Sequence, residues 1–454
     1  LAAEAKRPNI IMLLADDQRW DTLGCMGNKI IQTPNVDRLA AQGVVFDNVF
    51  VTTSICMTNR ACIFTGQYAS RHGVIDFRTN FTPEQLGETY PGQLKQAGYH
   101  MGFIGKWGVG APPKDLFDYN KGWPGQHKYF PEKDDLSIHL TSQMGDQALE
   151  FLDGAPDDRP FCLAFSFKAP HVQDGDPNTA MKIFTPEIRA QYDEFPGGFL
   201  HDPRLEPLYR DVVFPDPALS DPAFYAALPE YFKPTETRKR WDWRFGTPEM
   251  YQRSMKAYYS LISGVDKVVG RIVEKLEAEG VRDNTVILYH GDNGFYLGER
   301  GFAGKWYAHE VSLRVPLVIY DPRLPKAQKG TRREQFALSI DLAPTMLEMA
   351  GIARPERMQG ESLVPILRGE TPEWRDEFFY EHMFDVGERI PRSVAVRGKQ
   401  FKYIRYLVDD PRSEELYDFV NDPDEATNLV DDPKYADLLE EMRAKLAMWQ
   451  KSVK

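Results

Sequence analysis

Six short apolar, β-rich runs bounded by turn residues recur along the chain, at 9–14, 44–51, 100–104, 161–167, 285–290 and 317–320. Between them apolar residues repeat at helical spacing: 34–42 after Thr33, 88–97 stopped by Gly98, 141–152, and 255–279 stopped by Gly280. Continuous apolar strands alternating with amphipathic helices predict an α/β fold built on a large, mostly parallel mixed sheet sandwiched by helices.

Two stretches break the alternation. Residues 173–250 are rich in proline, aromatics and charge, with Asp-Pro at 176, 202, 216 and 221, and read as an elaborated, ordered insertion. From residue 376 the text alternates as antiparallel strands do, in Ser393-Val-Ala-Val-Arg397 and Phe401-Lys-Tyr-Ile-Arg-Tyr-Leu407. Asp/Pro-rich turns and an amphipathic helix over 434–451 follow. The expected organisation is a large domain over 1–375 that carries the insertion, and a small C-terminal α+β subdomain of antiparallel strands and a helix over 376–454.

Composition narrows the class. The chain has 454 residues, 42% hydrophobic and 12% aromatic, which is globular and excludes disordered, collagenous and coiled-coil readings. Its 55 basic and 67 acidic residues give −12, against a broad nucleic-acid-binding surface. No apolar run reaches the roughly 18 to 20 residues of a membrane helix, so no membrane span is expected. The opening Leu1-Ala-Ala-Glu-Ala5 fits the end of a cleaved secretory signal, and so a periplasmic or secreted protein. Four cysteines are too few to staple the chain, and their spacing matches no zinc pattern.

Three motifs carry chemistry. Ala15-Asp16-Asp17-Gln18 follows the first apolar strand, where open α/β sheets bind ligands. His290-Gly-Asp292-Asn293-Gly294 follows another; alone it is a common turn, but with Asp16 and Asp17 it makes an oxygen-rich set suited to Ca²⁺ or Mg²⁺. Thr52-Thr-Ser-Ile-Cys56-Met-Thr-Asn-Arg60 puts a cysteine at the mouth of a helix, with an arginine one turn on. That arrangement gathers an anion beside a nucleophile.

These motifs resemble the type I sulfatases of the alkaline-phosphatase superfamily, from Pro8-Asn-Ile-Ile to Glu415-Leu-Tyr-Asp418, Asp422-Pro423 and Asn428-Leu429. The family signature is Cys-x-Pro-Ser-Arg followed by Thr-Gly-Arg/Gln; here stand Cys56-Met-Thr58-Asn59-Arg60 and Thr65-Gly66-Gln67. The resemblance implies that Cys56 is oxidised to formylglycine by a formylglycine-generating or sulfatase-maturating enzyme. It implies that Asp16, Asp17, Asp292 and Asn293, with the Cys56 position, bind calcium in preference to magnesium. Lys106 and Lys305 match sulfate-binding lysines, His171 the histidine that protonates the leaving oxygen, and Arg60 joins the lysines in stabilising sulfate charge.

The pattern departs at two places. Thr58-Asn59 replaces Pro-Ser in the maturation signal, and Gly108 stands where many members have a histidine. His100, His127 and His139 are candidate replacements, and Gly108 with Gly110 is expected to open room for a bulky substrate. In the insertion, Arg238, Arg240, Trp241, Trp243 and Arg244 interleave cations with indoles and are expected to recognise a sulfated carbohydrate. The activity expected is sulfate ester hydrolysis on a sulfated poly- or oligosaccharide. Phosphate or phosphonate ester hydrolysis and noncatalytic binding of sulfated glycans are the alternatives.

Overall fold

A computed structural model describes residues 7–131, 137–173 and 198–454. In chain order its strands are β1 (Asn9–Asp16), β2 (Val44–Phe46), β3 (Val49–Phe50), β4 (His100–Lys106), β5 (Tyr119–Trp123), β6 (Phe161–Pro170), β7 (Thr285–Gly291), β8 (Tyr296–Leu297), β9 (Ala303–Gly304), β10 (Leu317–Tyr320), β11 (Thr331–Arg333), β12 (Ala337–Leu338), β13 (Glu377–His382), β14 (Ser393–Gly398), β15 (Phe401–Tyr406) and β16 (Glu414–Asp418).

Eight of them form the main sheet, in the order β11-β2-β10-β7-β1-β6-β4-β5. Strands β7, β1, β6, β4 and β5 run parallel, while β10 pairs antiparallel with β7 and β2. Every residue of β1 is buried, because helices cover both faces. Ile10, Met12 and Leu14 face a core shared with the helices Cys56–Thr65 and Leu342–Met349; Ile11 and Leu13 face one shared with Leu140–Asp153 and Pro248–Ala278.

A second sheet, β13-β14-β15-β16, is wholly antiparallel, and the C-terminal helix Ala436–Ser452 packs on β14 and β15. It is joined to the main body by buried charge. Lys402 of β15, fully buried, reaches Glu310 at 2.8 Å, and Arg397 of β14 reaches the same carboxylate at 3.2 Å.

Several expected boundaries change. The run 44–51 is two strands, because Asp47-Asn48 turns the chain: β2 joins the main sheet and β3 pairs with β12. The helix expected over 88–97 begins afresh at Tyr90, where Thr89 accepts from the Gly92 N–H at 3.2 Å. The long helix starts at Pro248 rather than 255, capped by Thr247. Within the insertion, the described part from 198 onward is ordered and includes the helices Pro222–Ala227 and Glu236–Arg244; residues 174–197, with Asp-Pro at 176, lie outside the described residues. The expected signal remnant, Leu1 to Ala5, also lies outside them.

Candidate functional site

Parallel pairing brings the carboxyl ends of the central strands together. Asp16 ends β1 and sits opposite Pro170 of β6, Ala15 sits opposite Gly291 of β7, and Lys106 ends β4. Asp17, His171, Asp292 and Asn293 are the next residues along, so four segments distant in sequence meet at one sheet edge. The Cys56–Thr65 helix points its first residue into this cluster. Its preceding residue, Ile55, supplies no side-chain cap, which leaves the positive end of the helix facing the site.

Contacts tie the cluster together. Lys106 Nζ donates to Asp16 Oδ2 at 2.6 Å and lies 3.1 Å from Cys56 Sγ. Lys305 Nζ donates to Asp17 Oδ1 and stands 3.9 Å from Asp16 Oδ1. His171 Nε2 is 3.6 Å from Asp17 Oδ2. Arg60 Nε donates to Asp292 Oδ2 at 2.9 Å, and its Nη1 donates to the Lys106 carbonyl at 2.7 Å. All eight of these side chains are buried.

Their charges are mutually dependent. Burial opposes ionisation of Asp16, yet the fields of Lys106, His171, Arg60 and Lys305 outweigh it and hold this carboxyl well below its usual range. Burial also works against the charge on Lys106, but Asp16 and Cys56 hold its ammonium above the usual lysine value. Asp292 moves the other way, pushed up to about 7 by burial and by the charge on Asp16.

The donor set fits a hard divalent cation. Asp16 Oδ1, Asp17 Oδ2 and Asn293 Oδ1 are buried acceptors with no hydrogen-bond partner among the described residues, an arrangement that is costly unless a cation coordinates them. Ligand atoms of Asp16, Cys56 and Asp292 lie within 4.8 Å of one another, as do those of Asp16, Asp17 and His171. Carboxylate and amide oxygens are the ligands that Ca²⁺ and Mg²⁺ take.

A cavity of about 420 Å³ opens over the cluster, a volume suited to a small organic ligand. Cys56, Lys106, His171 and Lys305 line its floor; Phe77, Gln126, Glu236, Arg240, Trp306, Phe384 and Arg389 are among its walls.

Three sequence expectations change here. Arg60, expected to join the lysines in stabilising sulfate charge, is fully buried and does not line the cavity; it bonds to Asp292 and the Lys106 backbone. Gly108 lines the cavity, but the space where a Cβ would stand on Gly108 or Gly110 is already filled. A Cβ on Gly108, whose φ is +84°, would lie 2.6 Å from Arg60 Cδ, and one on Gly110 would meet Asn80 Oδ1 at 1.4 Å. The candidate histidines do not line the cavity. His100 opens β4 at the end opposite Lys106 and stacks on Phe151, His139 stacks on Tyr129 and caps a helix, and His127 packs on Trp123.

The basic, indole-rich segment is a helix, so successive side chains point about 100° apart and only one face reaches the cavity. Arg240 lies on that face with Glu236. Arg238 is held over Tyr225 and Trp241 with its centre 4.1 and 4.0 Å from their rings; Trp243 lies beneath Lys239, and Arg244 is buried. Glu236, Trp306, Phe77 and Arg389 were not singled out from the sequence, and no local motif marks them. Asn59 was singled out only as a departure, yet its amide donates to the Asp292 carbonyl at 2.6 Å.

Comparison with known proteins follows this geometry. The family model described as sulfatase matches residues 8–352, and that described as N-sulphoglucosamine sulphohydrolase, C-terminal, matches 298–452. An N-acetylglucosamine-6-O-sulfatase of Bacteroides thetaiotaomicron is 31% identical, covering 99% of this chain and 88% of the relative. A solved structure of a protein in complex with its substrate D-glucosamine-2-N,6-O-disulfate superimposes with a TM-score of 0.80 at 28% identity, over 99% of this chain and 98% of the other. A phosphonate monoester hydrolase of Agrobacterium radiobacter shares the fold, with a TM-score of 0.77 at 23% identity over 99% and 96% of the two chains.

Proposed function

Because the chain belongs to the type I sulfatases of the alkaline-phosphatase superfamily and is a sulfuric ester hydrolase, we propose that it removes sulfate from a sulfated poly- or oligosaccharide. The observation that carries this reading is the meeting of Lys106, Lys305 and His171 around the Cys56 position on the floor of a sugar-sized cavity. The relative named for N-acetylglucosamine 6-sulfate and the neighbour bound to a glucosamine disulfate support a glycan as substrate.

In this proposal Cys56 is matured to formylglycine and Asp16, Asp17, Asp292 and Asn293 hold calcium. When both are in place, the hydrated aldehyde supplies the attacking oxygen and the ion favours its ionised form. Lys106 and Lys305 donate to the nonbridging sulfate oxygens as charge grows there, from positions fixed by Asp16 and Asp17. Arg60 holds Asp292 and the Lys106 backbone in place without touching substrate. His171 gives a proton to the departing sugar oxygen.

The whole Cys56–Thr65 helix is buried, so the maturating enzyme must act on this segment before the chain folds around it. A substrate of this class goes with action in the periplasm or outside the cell. The test has two parts. Mass spectrometry of the Cys56 peptide from protein made with a maturating enzyme should find the aldehyde. Aldehyde-bearing protein should then release sulfate from defined sulfated glycans faster than it hydrolyses matched phosphonate esters. An unmodified thiol throughout, or a preference for phosphonates, would overturn the reading.

A further inference from the structure

The walls of the cavity differ sharply in chemistry. Glu236, the first residue of its helix, accepts from Arg240 Nε at 3.1 Å through Oε1 and from Arg389 Nη2 at 3.0 Å through Oε2. Arg389 comes from the segment between β13 and β14, 153 residues away. Burial works against ionisation of Glu236, but Arg240 and Arg389 outweigh it and keep the carboxylate charged. The trio therefore carries a net positive charge. A guanidinium has five N–H donors, so the bonds to Glu236 leave most of each fork available. Arg240 is further fixed over the Trp306 ring, 4.8 Å from its centroid, and Arg389 is 65% exposed at the mouth.

Apolar side chains line the same cavity. Phe77, 57% exposed, meets Phe384 edge to face at 5.3 Å, with Val386 and Ile390 beside them. An exposed Phe77 ring packed on the half-buried Phe384 at a pocket mouth is costly to leave in water unless a ligand covers it. A cavity lined by both aromatic rings and guanidinium groups suits a sugar ring whose C–H face lies on the phenylalanines and whose edge carries a negative charge.

We infer that Arg240 and Arg389, joined through Glu236, recognise a second anionic group on the same sugar ring that carries the scissile sulfate ester. This rests on the glycan sulfatase reading above and adds to it that the preferred ring is at least doubly anionic. Glu236 is a positioning residue: it sets the two guanidinium planes and is itself shielded by them. Arg389 is the discriminating residue, since it alone of the three arrives from the C-terminal subdomain and faces solvent before substrate enters.

The test separates binding from turnover. Calorimetry on the full chain carrying Cys56→Ser would measure the affinities of D-glucosamine-2-N,6-O-disulfate and N-acetyl-D-glucosamine 6-sulfate, which differ in the second anion. The disulfate should bind at least tenfold more tightly, and adding Arg389→Ala should bring the ratio to within about threefold, with Arg389→Lys in between. A ratio near one in the parent, or one that Arg389→Ala leaves unchanged, would overturn the inference. Sulfate release from defined sulfated glycans, these two glucosamine sulfates included, by aldehyde-bearing wild-type chain is read separately. Its absence would end the sulfatase reading while the binding ratio still decides the subsite, and an unchanged ratio with normal turnover would end the subsite alone.

Discussion

Lys106 Nζ sits between the Cys56 sulfur at 3.1 Å and Asp16 Oδ2 at 2.6 Å, so one ammonium links the nucleophile position to a carboxylate at the end of the first strand. Asp16 keeps that ammonium charged and aims it, and this preorganisation is what makes a donor effective where charge develops. Lys106→Ala is expected to lower kcat for an aryl sulfate by about 10² to 10³, the usual loss for one such donor. The assay must be normalised to formylglycine content. A fall of less than about threefold would place the charge stabilisation elsewhere.

Gly108 supplies a counterintuitive case. Restoring the histidine that many relatives carry should harm this enzyme, because the backbone there has φ +84° and any Cβ would press on Arg60 Cδ at 2.6 Å. Displacing Arg60 would disturb both Asp292 and the Lys106 carbonyl. Gly108→His and Gly108→Ala are both expected to lower kcat and to lower the melting temperature. Faster turnover in Gly108→His than in the wild type would show that the histidine, and not the geometry, is what this site lacks.

The strand ends were legible because each motif is local. Asp16-Asp17 and Asp292-Asn293 follow apolar runs, and buried parallel strands write themselves as such runs. The helix start at Cys56 was legible for the same reason. What escaped is the pairing of distant segments. Nothing near Glu236 announces Arg389, and nothing in Arg238 to Arg244 says which residue faces inward until the helix is placed against the sheet. The motif around Arg60 gives its neighbourhood but not its depth: the side chain is fully buried against Asp292. The break at Asp47-Asn48 shows the same limit, since two polar residues ended a strand that β propensity alone would have continued.

Metal binding should be visible as stability. Asp16 Oδ1, Asp17 Oδ2 and Asn293 Oδ1 are buried acceptors without hydrogen-bond partners among the described residues, so a divalent cation entering the site would relieve a cost that the metal-free chain bears. Ligand at a hundred times its dissociation constant adds about 2.7 kcal/mol. Treatment with a chelator should therefore lower the melting temperature, and calcium should restore it. Asp17→Ala should remove the response to calcium while remaining folded at lower temperature. An identical melting temperature with and without calcium in the wild type would argue against a site there.

Acid should destabilise the fold through buried histidines. His382, the last residue of β13, is fully buried, neither ring nitrogen has a hydrogen-bond partner, and burial pushes its pKa down to about 3. Burial likewise pushes His72 down to about 3. In the unfolded chain such a group titrates near 6.5, so the unfolded state takes up the proton first. The stability each neutral ring preserves is complete above pH 6.5 and is lost as pH falls toward about 3. The loss amounts to about 1.4 kcal/mol per pH unit for each group, or roughly 2 kcal/mol at pH 5. His382→Leu removes the titrating ring and replaces two unpartnered nitrogens with an apolar side chain. Urea unfolding between pH 7.5 and 4.5 should give the variant a shallower fall in stability than the wild type, by about 1.4 kcal/mol per pH unit below 6. The two curves should run parallel above pH 7. Parallel curves across the whole range would mean that His382 is protonated in the folded protein, against its burial.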